Sequence, residues 1–152
     1  MPGRGLGVTI ALLGNHSGEQ PTKGMAMRTI ISTDKAPGAI GPYNQGIKAG
    51  GFVYTAGQIP LDPKTMQVVG TTAPEQARQA LQNAQAIVEA AGLTLADVVK
   101  VTVFIRDMGQ FAAINEVYST FFTANPPARS VVEVCRLPKD VLVEVEMFAY
   151  SG

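Results

Sequence analysis

Histidine, cysteine and tryptophan are almost missing from this chain: its 152 residues include 1 histidine, 1 cysteine and no tryptophan. With Cys135 alone, no intrachain disulfide can form. Set in Val134-Cys135-Arg136-Leu137, it reads as a small hydrophobe on a strand, without chemistry of its own. His16 alone cannot build a histidine triad or a multi-histidine zinc site. Charge is also scarce, and 12 basic residues cancel 12 acidic ones. That balance gives nucleic acid or an anionic membrane little to hold. Any chemistry must run on carboxylates, arginine, tyrosine, backbone and water. Sparse charge further suggests that part of the surface is covered, with copies of the chain as the simplest cover.

Residues 1–26 differ from the rest. They are glycine-rich and carry a short apolar run, Leu6 to Leu13, interrupted by Gly7 and Thr9. The run is too short to span a bilayer and makes a poor signal peptide. The segment reads as an N-terminal extension of uncertain role. Met27 then opens a single domain, 27–152, a length that fits one core.

From there the pattern is regular. Thr29 to Thr33 is a β-branched run, read as a strand. Ala36 to Tyr43 is a loop with two prolines and two glycines. Gln45–Ala49 and Phe52–Ala56 flank Gly50-Gly51, a hairpin signature. Leu61 to Lys64 is a turn, and Met66 to Val69 reads as one more short strand. Thr72-Ala-Pro-Glu75 has capping-box spacing. The apolar residues Ala77, Ala80, Leu81, Ala84, Ile87, Val88 and Ala91 follow at helical period, closed by Gly92. Because that face is mostly alanine, the helix should lie close to a sheet. Val98–Arg106 reads as a strand with Val99, Val101, Val103 and Ile105 on one side.

A second helix is expected from about Gln110 to Thr123, with Phe111, Ile114, Tyr118, Phe121 and Phe122 as its apolar stripe. Asn115, four residues after Phe111, points into that stripe. A buried amide needs partners; it either ties a neighbouring loop or faces a ligand. Two strands end the sequence, Ser130–Arg136 and Val141–Ala149, joined by a turn at Leu137–Asp140. In the last one, Glu144 and Glu146 share a face with Leu142 and Phe148. A covered carboxylate there would need a cation, a donor or a raised pKa. By pattern alone the solvated reading is favoured, since strand charges usually face water. Arg129 stands at the mouth of the Ser130 strand. It either holds a ligand or pairs with a nearby glutamate.

The order strands, helix, strand, helix, strands predicts an α+β layer: a mostly antiparallel sheet with two helices on one face. The other face needs a cover, which a homo-oligomer would supply.

The segments APGAIGPYNQG, TAGQIP, NEVY…FF and PPARSVVEVCRLPKDVLVEVE closely resemble the Rid (YjgF) family, and most closely its RidA branch, from about Arg28 to Tyr150. The resemblance implies a chorismate-mutase-like homotrimer with active sites in clefts between subunits. It implies hydrolysis of 2-enamino and 2-imino acids, such as 2-aminoacrylate and 2-aminocrotonate, to 2-keto acids and ammonia. It implies no cofactor and no metal. The neutral charge and the lack of a basic stripe predict no nucleic-acid or membrane partner, and a cytoplasmic setting is expected. Carried over by motif, Arg129 grips the substrate carboxylate and Glu144 positions and activates water. Tyr43 lines the cleft, Asn115 matches the helix asparagine, and the Gly57 backbone approaches the ligand. Two positions depart from the family pattern. Ala56 replaces a common serine and removes a hydroxyl contact. Val131 replaces a frequent cysteine whose contact is thought to use backbone. Alternative readings are a carboxylic- or keto-acid-binding trimer without catalysis, an RNA-directed translation inhibitor, and a holdase-like chaperone.

Overall fold

The hairpin forms where Gly50-Gly51 allows it. Both glycines adopt positive φ, 55° and 83°, as a two-residue turn that follows the sheet twist requires. In the computed structural model, which describes residues 28–152, the turn joins strands β2 (Gly46–Ala49) and β3 (Phe52–Thr55). Strand β1 (Arg28–Ile31) pairs antiparallel to β2. The expected 1–26 extension and Met27 lie outside the described residues.

Helix α1 (Ala73–Ala90) starts with the full reciprocal capping box of Thr72 and Glu75. Strand β4 (Val98–Ile105), helix α2 (Phe111–Phe121), strand β5 (Ala128–Glu133) and strand β6 (Val143–Tyr150) follow. The six-stranded sheet runs β1-β2-β3-β6-β4-β5. All neighbours are antiparallel except β4 and β5, which are parallel with α2 as their crossover. The expected α+β layer is therefore present. Val53, Val101, Val103, Val143, Val145 and Met147 turn to the helices and form the core with Ala80, Leu81, Ala84, Ile87 and Val88.

Four local expectations are corrected. The proposed strand Met66–Val69 is reduced to one bridge, Leu61 with Val68. A bulge between Val98 and Lys100 turns Val98 inward and leaves Val99 exposed. Strand β5 ends at Glu133, so Cys135 is an exposed loop residue rather than part of a strand. The α2 stripe is Ile114, Val117, Tyr118 and Phe122; Phe111 is exposed, and Asn115 lies outside on the rim.

The alanine face of α1 also buries two polar side chains, Gln76 and Asn83. Asn83 Nδ2 donates to the carbonyls of Ile59 and Leu61 at 3.1 and 2.9 Å. Gln76 Oε1 accepts from the Leu142 N–H at 2.7 Å, and its Nε2 donates to the Gly70 carbonyl at 3.1 Å. These amides tie three irregular segments to a helix, satisfying backbone groups that burial would otherwise leave without partners.

Gln45 does the same for the Ala36–Tyr43 loop. It is 6% exposed. Its Oε1 accepts from Thr33 N–H at 2.7 Å, and its Nε2 faces the carbonyls of Thr33, Ala36 and Pro37 at 2.9, 3.0 and 2.8 Å. Gln45→Ala removes this hub and leaves those groups buried. The expected loss is about 2–4 kcal/mol of folding stability, read as a lower urea midpoint.

Candidate active site

The strand register divides the expected site residues into two groups. Opposed residues in a sheet point to the same face. Arg129 is opposite Val101, which faces the helices. Glu144 is opposite Phe104, on the open face. Arg129 and Glu144 therefore lie on opposite faces of one sheet.

The arginine group lies against α2. Arg129 Nη1 donates to Asn115 Oδ1 at 2.8 Å. Its guanidinium carbon sits 4.4 Å from the Tyr118 ring centroid and 5.7 Å from that of Phe111. A planar cation held over aromatic faces has its direction set while most of its N–H groups remain available. Asn115 thus holds one side of the arginine. Around them is a cavity of about 370 Å³ bounded by Pro126, Pro127, Phe122, Tyr118, Asn115 and Arg129. No glutamate pairs with Arg129: Arg136–Asp140 is the one ion pair among the described residues. Val131, opposite Val103, is half-buried on the same face and packs against the core. Tyr118 is 6% exposed, and its hydroxyl has no hydrogen-bond partner among the described residues. Burial pushes that phenol's pKa up, opposed by the charge of Arg129. The sequence pattern gave Tyr118 a core role only; its contact with Arg129 depends on the parallel β4–β5 register, which has no local signal.

The carboxyl group lies on the open face. Glu144, Tyr43, Ala56, Gly57, Ile40 and Pro138 line a cavity of about 280 Å³. The reciprocal pair Gln58 N–H to Val145 O at 2.7 Å and Val145 N–H to Gln58 O at 2.9 Å fixes the Ala56–Gly57 backbone beside Glu144. A Cβ on Gly57 would collide with the Glu144 carboxylate where it now lies, so a larger residue would displace that carboxylate. Tyr43 is 45% exposed, and its hydroxyl accepts the Ile40 N–H at 3.2 Å. Pro138 is held by a loop in which Lys139 and Asp140 both take left-handed backbone, φ 55° and 54°. Asp140 is pinned there by Arg136 at 2.8 Å.

Glu144 is half-buried, which corrects the solvated reading of the strand pattern. Burial raises its carboxyl above the ordinary glutamate pKa, and repulsion from Glu146 adds to the shift. Desolvation of this kind favours the protonated form and makes a carboxylate a better proton acceptor than a solvated one.

Farther along the open face, past Glu146, lies an apolar patch. The rings of Phe52 and Tyr150 meet at a tilt with centroids 4.9 Å apart, and those of Tyr54 and Phe148 meet at 5.0 Å. Phe52, Tyr54, Tyr150, Val99 and Val132 are exposed. No helix among the described residues is long and apolar enough to cross a membrane.

These features define an α+β domain with two cavities, one cationic and one acidic, on opposite sides of its sheet. The chain belongs to the YjgF, or Rid, family: the family model described as Endoribonuclease L-PSP matches residues 33–151. A RutC family protein of Pyrococcus horikoshii is 56% identical over 125 residues, covering 82% of this chain and 99% of the relative. The 2-iminobutanoate/2-iminopropanoate deaminase of Salmonella typhimurium is 55% identical over 126 residues, covering 81% and 98%. The crystal structure of Escherichia coli TdcF with bound serine superposes with a TM-score of 0.79 at 51% identity, covering 82% of this chain and 99% of that one.

Proposed function

We propose that this chain is a reactive-intermediate deaminase that hydrolyses 2-enamino and 2-imino acids to 2-keto acids and ammonia. Its sites would be assembled between chains of a homotrimer. The observation that carries the reading is the placement of Arg129 and Glu144 on opposite faces. A ligand of a few heavy atoms cannot touch both within one chain, but it can where one chain's Arg129 cavity meets a neighbour's Glu144 cavity. The exposed aromatic face supports such packing, since a patch of this kind marks an interface. The deaminase named among the relatives, at 55% identity, supports the chemistry.

The reaction follows from the residues. The Arg129 fork holds the substrate carboxylate by paired charge-assisted hydrogen bonds. An enamine first takes a proton on its terminal carbon and becomes the iminium. Glu144 then takes a proton from water as the water oxygen bonds to C2. It returns that proton to nitrogen and, ionised again, takes the hydroxyl proton as the C–N bond breaks, ammonia leaves and the carbonyl forms; the proton then passes to solvent, balancing the one the enamine took up. Holding C2 beside the water supplies the orientation, and the raised pKa of Glu144 suits a group that must both accept and donate. Tyr43 and Gly57 shape the pocket. Ala56, with Ile40 and Ile59, leaves its wall apolar, which favours imines with apolar side chains over hydroxylated ones.

Mixing tests the assembly. Arg129→Ala and Glu144→Gln chains are each expected to be nearly inactive. Unfolded together and refolded, they should regain 2-imino acid hydrolysis, because some interfaces then join an intact Arg129 to an intact Glu144. If the mixed oligomer forms by native mass spectrometry yet stays as inactive as its parents, the shared site is wrong. An RNA substrate, which the family's description suggests, would meet a chain of net charge zero. Such a chain offers phosphate little attraction.

A further inference from the structure

A third cavity, of about 300 Å³, lies away from both half-sites, at the junction of the α1 N-terminus, the end of β4 and the start of α2. Ala73, Ile114 and Leu142 make its walls apolar, while Arg106 and Asp107 bring one charge of each sign. Although adjacent in sequence, the two do not pair; Arg136–Asp140 is the one ion pair within 4 Å among the described residues. Arg106 Nε is buried and has no acceptor among the described residues. Asp140, whose carboxylate feels the Arg106 charge, is already engaged by Arg136. Asp107 Oδ1 accepts the Gly109 N–H at 2.8 Å, and its Oδ2 has no hydrogen-bond partner among the described residues.

We infer that this cavity binds a neutral α-amino acid as its zwitterion. Its carboxylate accepts from Arg106, its ammonium donates to Asp107, and an aliphatic side chain packs on Ile114 and Leu142. A lone anion would meet Asp107 as well as Arg106, and a lone cation would meet Arg106. A ligand carrying both charges beside an apolar body satisfies all three parts of the lining. The inference uses neither Arg129 nor Glu144 and stands apart from the proposed deaminase reaction.

The test is calorimetric titration of the Arg129→Ala chain, in which the cationic half-site is removed. The probes are L-leucine, leucinamide, which lacks the carboxylate, and 4-methylpentanoate, which lacks the ammonium. L-leucine is expected to bind saturably, one per chain, and the other two at least about tenfold more weakly. Adding Arg106→Gln or Asp107→Asn should weaken L-leucine by a similar factor. Asp107→Asn keeps the acceptor for Gly109, so it serves if Arg106→Gln does not fold, and circular dichroism identifies which variants are folded. The inference fails if L-leucine gives no saturable heat at millimolar concentration. It also fails if either single-charge probe binds as well, or if folded variants bind L-leucine unchanged.

Discussion

Arg129→Ala is expected to lower kcat/KM for a 2-imino acid by roughly 100- to 1,000-fold, because two charge-assisted hydrogen bonds to the carboxylate are lost together. The loss should fall mainly on KM, since the carboxylate is charged in substrate and transition state alike. Arg129→Lys keeps the charge but not the fork. It also gives up a planar group fitted between Asn115 and the Tyr118 ring, 4.4 Å away. It should recover only part of the activity. Substrate trapping downstream of a threonine dehydratase, with ketobutyrate release as the readout, measures all three chains. An Arg129→Ala chain with wild-type KM would mean that the carboxylate is held elsewhere.

Glu144→Gln separates binding from chemistry. The amide keeps the size of the carboxyl beside Gly57 but cannot take a proton from water, so kcat should fall about 100- to 10,000-fold. Binding of a 2-keto acid should survive. The same substitution should raise thermal stability at neutral pH. The folded-state pKa of Glu144 is raised by burial and by Glu146, so the folded chain holds this proton more tightly than the unfolded one. The resulting stability is fully present below the ordinary glutamate value and is lost as pH climbs through the raised folded value. At pH 7 the wild type carries the cost of a half-buried charge and the glutamine variant does not. A melting temperature that drops in Glu144→Gln at pH 7, and does not depend on pH in the wild type, would place the carboxyl in water.

Much of this fold is legible in local signals. The Gly50-Gly51 pair sets the hairpin, the Thr72–Glu75 box starts α1, and the valine alternation of β6 fixes which face is core. The misses share a cause: they depend on contacts distant in sequence. The bulge at Val99 arises from the β6 register. The burial of Gln45, Gln76 and Asn83 depends on which loops pass beside them, so their polarity points the wrong way in the sequence. The motifs that carry Arg129, Asn115, Tyr43, Gly57 and Glu144 were all visible, and so was the family resemblance. Their division between two faces was not, because it follows from β4 standing between β5 and β6, and no spacing within one segment encodes that order.

That order also bears on how the polypeptide acquires its shape during synthesis. Strand β6 follows every other strand in the chain, yet it occupies the middle of the sheet, with β3 on one side and β4 on the other. Until residues 143–150 have left the ribosome, the hairpin half and the β4–β5 half have no common partner, and each shows an open hydrogen-bonding edge. The nascent chain is therefore open to mispairing until that segment emerges, and closure comes as one late insertion of it into the gap.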